Sequence, residues 1–519
     1  MEIRQTAEMV CVADAPASDQ RRSRLAAWLI PDLASFIACI TLVYALVVFD
    51  GTRQFFRDSD AGWHIQVGEM LHRDFSLPRT DPFSFSKSGQ PWFAWEWASD
   101  YLLAVYHGTT SGLAGVAGWI ALLIALTTGV WFRLTWAVGG NFLLAGAFAV
   151  LMVSTTSIHW LARPHIFSWA FLLGFLQYLE SGGRRLWLIA LISAAWANFH
   201  ASFFLAPVLC LCYALGSFVR PLIWDEEAAS EWRWFGTAAL VSLASTLINP
   251  YGWNLHAHVV RYLFDKELLD RVAEFQSFNF HTNGAGQILL TMLVAATGAV
   301  LAFTQRKISH AIISALFLVI ALRSARGLPL LALAVLPLAN GAITQVLRKA
   351  SGLRPVLRQK LDDFFAYCDR LRAIDIGQKD NLWLVAIWVC LLMVLDTYAI
   401  RAHAGFPTET FPVKASEVVA GLPKNARILA PDLYGGYLIY RFKGERKVFF
   451  DGRSDFYGAD FMKKYIELVE VRPGWQKQLQ TWNFTHALLP NRYSLIPALE
   501  QIGWKRVYSD EVATLLEKP

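Results

Sequence analysis

The sequence predicts an α-helical polytopic membrane protein with about eleven transmembrane helices and a small C-terminal α/β domain. Of its 519 residues, 55% are hydrophobic and 17% are charged, whereas soluble chains carry about 25% charged residues. Apolar segments that approach the roughly 20 residues of a membrane span recur up to residue 400. After residue 400 the chain changes to short helix and strand patterns. A membrane domain over residues 29–400 is therefore expected to precede a separate domain over residues 401–519.

Eleven apolar segments predict the transmembrane helices. They cover residues 29–49, 113–132, 142–158, 166–179, 187–196, 203–219, 235–248, 288–303, 311–322, 328–346 and 383–400. Only a short polar stretch around His200 separates the fifth segment from the sixth. The tail 1–28 lacks the apolar core of a secretory signal peptide.

The distribution of Lys and Arg predicts the orientation in the membrane. Basic residues precede the first span and recur in alternate loops: Arg21, Arg22, Arg24, Arg184, Arg185, Arg220, Arg233, Arg306, Lys307 and the run 348–379. This pattern predicts a cytoplasmic N-terminus. Eleven spans then place the loop 55–112 and the domain 401–519 outside the cytoplasm. These residues account for the net charge of +6, which therefore indicates no nucleic-acid partner.

Residues 348–380 form a basic amphipathic pattern, which predicts a helix along the cytoplasmic membrane surface. In the C-terminal domain, strands are predicted at 426–431, 447–451, 486–490, 504–508 and 511–516, with helices at 459–471 and 474–482. The domain contains no P-loop, dinucleotide glycine pattern or GxSxG motif. The six cysteines have neither CxxC nor Cys/His zinc spacing. The predicted role of Cys210 and Cys212 is apolar packing.

The loop 55–112 begins with an Asp-x-Asp pair. Asp58 and Asp60 share a face if this stretch is extended, whereas Asp60 and His64 share a face if a helix begins at Asp60. Such a carboxylate can deprotonate an acceptor hydroxyl or hold a divalent cation, Mg or Mn, against a lipid phosphate. The alternative is that Asp60 only caps a helix while Asp58 is solvated.

A second acidic pair lies farther along the same loop. Glu96 and Asp100 are four residues apart in a Trp-rich stretch. Tryptophan belongs at membrane interfaces, which accounts for the aromatic residues but not for the carboxylates. Glu96 and Asp100 are therefore further catalytic candidates. Asp81 precedes Pro82, where a turn is the expected role.

Other polar residues gather in the loops predicted to lie on the outer side. Arg163 and Arg326 are candidates to bind a lipid phosphate, since a guanidinium group suits that geometry. His165 and His200 lie in the same set of loops and are candidates for substrate binding. The alternative for each residue is that it caps a helix or reaches toward the membrane surface.

Three motifs resemble a family of bacterial polytopic proteins that is similar to the GT-C glycosyltransferase superfamily, which includes protein mannosyltransferase-like enzymes. They are the segments 58–64 (DSDAGWH), 77–84 (LPRTDPFS) and 89–97 (GQPWFAWEW). The family pattern is roughly D-x-D-x-W-W-H, P-x-x-D-P-F-S and H-E-W. Gly62 and Trp95 depart from it, replacing a Trp and a His.

The resemblance implies a GT-C-like bundle in a bacterial inner membrane. It also implies an inverting transferase whose donor is a polyprenyl-phosphate-linked sugar. It implies a saccharide, lipid or protein acceptor, bound between the bundle and the outer domain, with Asp60 as the base. Acceptor-side residues would then be Tyr434, Tyr437, Asp451 and Arg453. In the alternative reading, the glycines beside them only form turns.

Two other classes of function remain open from the sequence. The first is a transporter or flippase of a lipid-linked saccharide, for which inverted repeats with broken helices are the expected signal. The second is a non-catalytic assembly protein with a GT-C-like bundle. Carboxylates in a loop at the membrane surface, rather than at the middle of the membrane, favour the enzyme.

Overall fold

The computed structural model of the protein describes residues 31–109, 112–226, 230–377 and 382–519. The chain is mostly helical and ends in a small sheet, as predicted. Within the described residues, five helices are long and apolar enough to cross a membrane, and three shorter apolar helices accompany them. The total of about eleven transmembrane helices stays a prediction. The tail 1–28 lies outside the described residues.

The membrane domain contains eighteen α-helices in the described residues. The first nine are α1 (Leu33–Val43), α2 (Gly51–Gln54), α3 (Asp60–Asp74), α4 (Trp97–Thr109), α5 (Leu113–Ala137), α6 (Phe142–Thr156), α7 (His165–Glu180), α8 (Leu186–Phe199) and α9 (Leu205–Trp224). The others are α10 (Glu231–Ser245), α11 (Trp253–Phe264), α12 (Lys266–Leu269), α13 (Ala285–Thr304), α14 (Ile308–Arg323), α15 (Gly327–Lys349), α16 (Pro355–Gly377), α17 (Leu382–Leu395) and α18 (Tyr398–His403).

Helices α5 and α15 form the centre of the bundle. Their apolar side chains are buried over most of their length, and the indole of Trp131 donates a hydrogen bond to the carbonyl of Ala332 at 3.2 Å. A Cβ placed on Gly298 would lie 2.3 Å from the Cβ of Ala339. Small residues therefore allow α13 and α15 to approach closely, as is usual between membrane helices.

Two predicted boundaries can be compared directly with the helices. The break around His200 is confirmed, because α8 ends at Phe199 and His200 is extended, with φ −164° and ψ 150°. The predicted span 383–400 is instead divided between α17 and α18. Helix α16 covers most of the predicted amphipathic segment 348–380.

The C-terminal domain contains six helices and four strands. They are α19 (Val413–Ala420), β1 (Ile428–Leu429), α20 (Asp432–Arg441), α21 (Ser454–Tyr457), α22 (Ala459–Val469), α23 (Trp475–Thr481), β2 (His486–Pro490), α24 (Leu495–Gln501), β3 (Lys505–Ser509) and β4 (Ala513–Glu517). The strand order is β1-β2-β4-β3, with β1 and β2 parallel and the other pairs antiparallel.

The prediction of a sheet strand at 447–451 is wrong. The backbone of Val448 pairs with the loop 55–112 instead: its N–H donates to the carbonyl of Phe83 at 2.9 Å, and its carbonyl accepts from the N–H of Phe85 at 3.0 Å. Val448 does form a bridge, but its partner is Ser84, which is distant in the chain. This pairing fixes the C-terminal domain against the loop.

A second contact joins the loop to the C-terminal domain. Helices α3 and α20 cross at two glycines. A Cβ on Gly62 would lie 2.2 Å from the carbonyl oxygen of Gly436, and a Cβ on Gly436 would lie 2.1 Å from the carbonyl oxygen of Ser59. The crossing therefore requires a residue without a side chain at position 62, where the family pattern has Trp.

Candidate functional site

A cavity of about 200 Å³ lies where the bundle, the loop 55–112 and the C-terminal domain meet. The first turns of α7 and α15 and the turn before α9 contribute its apolar and polar lining. Its lining residues include Asp60, His64, Trp95, Glu96, Arg163, His165, Ser168, Trp169, His200, Phe204, Glu274, Arg326, Leu330, Gly452, Arg453 and Asp455. A concave, mixed apolar and charged pocket between domains is the usual form of a small-molecule site.

Asp60 is the first residue of α3, so it shares a helix face with His64, and both line the cavity. The side chain of Asp58 accepts a hydrogen bond from the backbone N–H of Asp60 at 2.9 Å. A Cβ on Gly452 would lie 1.9 Å from Oδ1 of Asp60. The carboxylate of Asp60 therefore lies directly against the backbone of the C-terminal domain, which is possible only because residue 452 is glycine.

Arg163 connects three carboxylates. Its Nη1 lies 2.7 Å from Oδ2 of Asp58 and 3.0 Å from Oε1 of Glu274, and its Nη2 lies 2.9 Å from Oδ2 of Asp60. The side chain of Arg163 is only 14% exposed. Arg326 also binds Glu274, with its Nε 2.5 Å from Oε2. We call these five residues the Arg163 cluster.

Glu274 was not identified from the sequence. It is one acidic residue in a long loop between predicted spans, and nothing in its local pattern distinguishes it from a solvated charge. Its importance comes from its two guanidinium partners, Arg163 and Arg326, which are distant in sequence. The only available signal was its location in a loop on the same side as those arginines.

Burial and ion pairing shift the pKa values of the carboxyl groups in this cluster in opposite directions. Burial raises the pKa of Asp60 to about 7, although the Arg163 guanidinium opposes the shift. Burial would also raise the pKa of Glu274, but Arg326 and Arg163 together hold it below its ordinary value. Asp60 is therefore the carboxylate of this pair that changes its protonation state near neutral pH.

His64 and Asp100 form a buried pair. The Nδ1 of His64 lies 2.6 Å from Oδ1 of Asp100, and each side chain is 1% exposed. Burial lowers the pKa of His64 and raises the pKa of Asp100, so burial disfavours the charged form of both side chains. The ring of Trp63 stacks on His64 with centroids 3.5 Å apart. The contact with Asp100 therefore fixes the orientation of the His64 ring.

Glu96 and His200 meet in the cavity, with Oε1 and Nε2 separated by 3.4 Å. This geometry resembles an ion pair, but burial raises the pKa of Glu96 to about 8 and lowers that of His200 to about 3. Both groups are therefore neutral at pH 7. The hydrogen bond that His200 accepts from the N–H of Ser202 fixes its ring orientation.

Arg453 is buried at the wall of the cavity formed by the C-terminal domain. Its Nε and Nη2 each donate to Asp451 at 2.7 Å, and Nη2 also lies 2.9 Å from Asp81. Its Nη1 is buried and has no hydrogen-bond partner in the described part of the chain. Asp81 also accepts from the N–H groups of Phe83 and Ser84, which is the turn predicted for it.

The structure places two predicted acceptor-side residues away from the cavity. Tyr434 is fully buried in the C-terminal domain, and Tyr437 lies within 3.2 Å of the Ser416 hydroxyl. Both belong to α20, which packs on α3, so they lie behind the helix that carries Asp60. Their predicted part in acceptor binding stays a prediction. His165 does line the cavity, and its Nε2 lies 2.7 Å from the carbonyl of His159.

Asp58 and Asp60 were also predicted to hold a divalent cation. Their oxygens are instead directed at the guanidinium of Arg163. Among the described residues, no group of three or more His, Cys, Asp or Glu side chains is arranged to hold a metal ion. A divalent cation at Asp58 and Asp60 stays a prediction.

Comparisons with known proteins support the fold. No family model and no curated protein sequence match the chain. Solved structures of the oligosaccharyltransferase of Archaeoglobus fulgidus do match it. The complex of this enzyme, AglB, with an inhibitory peptide and a dolichol-phosphate has a TM-score of 0.55 at 14% identity, over 88% of this chain and 69% of that chain.

Two further structures of the archaeal enzyme are similar to this chain to the same degree. The form tethered to an acceptor peptide that contains the NVT sequon gives a TM-score of 0.53 at 12% identity, over 88% of this chain and 68% of that chain. The apo form gives 0.51 at 12% identity, over 88% and 69%. At such low identity the likeness concerns the fold alone. The protein is a multi-pass membrane protein whose fold is similar to that of the archaeal oligosaccharyltransferase.

Proposed function

We propose that this protein is a membrane glycosyltransferase. It transfers a sugar from a polyprenyl-phosphate-linked donor to a saccharide, lipid or protein acceptor at the outer face of a bacterial inner membrane. The observation that carries the proposal is the place of Asp60: a carboxylate at the wall of a cavity between the membrane bundle and the C-terminal domain. The GT-C-like fold supports it, because the archaeal enzyme of similar fold was solved with a dolichol-phosphate.

In the proposed reaction, Asp60 accepts the proton of an acceptor hydroxyl as the oxygen attacks the anomeric carbon of the sugar. The bond from that carbon to the phosphate oxygen breaks, and the lipid phosphate leaves with the electron pair. Attack opposite the leaving group inverts the anomeric configuration. Positioned general bases of this kind contribute about 10²–10⁴ in rate.

The bundle side of the cavity suits the lipid phosphate. The first turns of α7 and α15 face the cavity through His165 and Pro329, and helix N-termini favour negative charge. Apolar residues at the same wall, such as Trp169 and Leu330, suit the start of a polyprenyl chain. On the opposite wall, the unpaired Nη1 of Arg453 is a donor for an oxygen of the acceptor.

The test is sugar transfer by purified full-length protein with lipid extracts that contain native lipid-linked sugars. Asp60→Asn removes the proposed base but keeps the size of the side chain, so turnover is expected to fall about 10²–10⁴-fold. Folding is checked by a monodisperse elution profile and by the midpoint of thermal unfolding.

The matched control is Asp74→Asn, at the other end of the same helix. Asp74 is 43% exposed and pairs only with its neighbour Arg73 in the described contacts, so this variant is expected to keep wild-type turnover. Normal turnover in Asp60→Asn would exclude Asp60 as the base. If wild type transfers no sugar from any lipid-linked donor, a transporter or a non-catalytic assembly protein becomes the better interpretation.

A further inference from the structure

The Arg163 cluster has an unusual charge arrangement. One guanidinium lies among three carboxylates, at 2.7 Å from Asp58, 2.9 Å from Asp60 and 3.0 Å from Glu274. Carboxylate oxygens gathered around one point are the kind of ligand that Ca²⁺ and Mg²⁺ take in proteins. Here a side chain of the protein occupies that point.

The position of Arg163 makes a cation at the same oxygens unfavourable. A magnesium ion requires oxygen ligands at about 2.0–2.1 Å in octahedral geometry. The Oδ2 atoms of Asp58 and Asp60 already bind different nitrogens of the guanidinium, so a cation at these oxygens would lie beside a fixed positive charge. An arginine side chain is always protonated, so a rise in pH does not remove this positive charge.

We propose that Arg163 takes the place of a divalent cation in this protein. Its charge compensates the carboxylates of Asp58, Asp60 and Glu274, and its two nitrogens hold Asp58 and Asp60 in a fixed relative position. Arg163 is thus a positioning residue for Asp60. The protein binds no divalent cation at the Asp-x-Asp pair, and the chemistry at Asp60 requires none.

The first test measures cation binding and needs no turnover. Purified full-length protein is titrated with Mn²⁺, and free Mn²⁺ is followed by electron paramagnetic resonance. Wild type is expected to leave the free Mn²⁺ signal unchanged. Arg163→Gln removes the positive charge, and the uncompensated carboxylates are expected to bind about one Mn²⁺ per chain. Adding Asp58→Asn to that variant should abolish the binding.

Two control variants separate the effect of losing the Arg163 charge from a general disruption of the fold. Arg163→Lys keeps a positive charge and is expected to bind no Mn²⁺. Arg57→Gln removes a nearby arginine that bonds to the backbone carbonyls of Ser157 and Ile158, and it should behave as wild type. Stoichiometric Mn²⁺ binding by wild type that Asp58→Asn abolishes would overturn the proposal. Failure of a monodisperse Arg163→Gln protein to gain Mn²⁺ would also overturn it.

The second test concerns catalysis and therefore rests on the proposed transferase function. Excess EDTA is expected to change wild-type sugar transfer by less than twofold, and added Mn²⁺ should not raise it. Loss of transfer in EDTA that Mn²⁺ restores would overturn the proposal. Absence of transfer under all conditions would instead contradict the proposed function, while the Mn²⁺ titration would still decide the role of Arg163.

Discussion

Single acidic residues around this cavity differ in charge because their surroundings differ. Glu274 has two guanidinium partners, which hold its pKa below the ordinary value, whereas burial dominates at Glu96 and raises its pKa to about 8. Glu96 faces a histidine that is itself neutral, and the guanidinium groups of Arg163 and Arg326 offset the effect of burial on its pKa only in part. The same type of side chain is therefore ionised at one wall of the cavity and protonated at another.

Glu96 should make the stability of the protein depend on pH. Its pKa is about 8 when folded and near 4.5 when unfolded, so between these values the folded state holds the extra proton. The stabilisation is complete below pH 4.5 and is lost as pH rises toward 8, by about 1.4 kcal/mol per pH unit for one proton. Glu96→Gln should remove this part of the pH dependence, measured as the unfolding midpoint from pH 5 to 8.

The control for this measurement is Glu445→Gln, since the Glu445 side chain is 73% exposed. It should follow the wild-type profile. If Glu96→Gln and wild type lose stability in parallel across this range, Glu96 is ionised in the folded protein and its assigned state is wrong.

At the level of elements, the crossing of α3 and α20 positions the site. Gly62 and Gly436 bring the two helix backbones into direct contact, and Asp60 lies two residues before this contact. On the other side, Gly452 lets the domain backbone touch the Asp60 carboxylate. The glycines thus set the position of Asp60 by permitting close packing.

Gly62→Ala should disrupt this crossing. The added Cβ would lie 2.2 Å from the carbonyl oxygen of Gly436, so the helices must separate, at a cost of about 1–3 kcal/mol. The expected result is a lower midpoint of thermal unfolding, together with reduced sugar transfer because Asp60 moves with the helix.

Gly108→Ala is the matched control on the neighbouring helix α4. A Cβ at Gly108 meets nothing within 4 Å, and alanine favours a helix over glycine by up to about 1 kcal/mol. This variant should unfold at the same temperature as wild type or slightly higher. Equal midpoints for Gly62→Ala and Gly108→Ala would mean that α3 and α20 are not tightly packed in solution.

For the whole molecule, the structure shows how the loop 55–112 and the C-terminal domain are placed relative to the membrane bundle. Because Val448 pairs with Phe83 and Phe85, the loop 55–112 and the C-terminal domain lie on the same side of the membrane. Helix α7 runs from His165 at the cavity to Glu180 at the opposite end of the bundle, a length of about 24 Å. Glu180 shares a second pocket with Glu231, so Glu231 lies at the far end from the cavity.

These positions allow a test of orientation by cysteine labelling in intact cells. In a background without the six native cysteines, a membrane-impermeant maleimide should label Ser88→Cys and Lys518→Cys, which are both exposed on the cavity side. It should label Glu231→Cys only after the cells are permeabilised. The expectation follows from the basic-residue pattern, which places the cavity side outside.

The reverse labelling pattern would show that the orientation inferred from the basic residues is inverted. Labelling of Ser88→Cys without Lys518→Cys would instead contradict the pairing of the loop with the C-terminal domain. Membrane integrity is checked with a cytoplasmic marker protein in the same cells.

The sequence by itself determined the class of fold and several residues of the cavity. Long apolar segments dictate membrane helices, because only helices satisfy their backbone hydrogen bonds inside a bilayer. The charged and aromatic residues between those segments predict a polar site that includes Asp60, Glu96, Arg163 and Arg326. All four line the cavity, because polar groups excluded from lipid collect at the same end of the bundle.

The tertiary structure decided which of these groups are partners. Glu274 joins Arg163 across 111 residues, and Val448 pairs with a loop rather than with the sheet. No local sequence pattern predicts either contact, because each depends on how distant segments pack. The protonation state of Glu96 could not be predicted from the sequence either. Burial and neighbouring charge set the pKa of a carboxylate, and both exist only once the chain has folded.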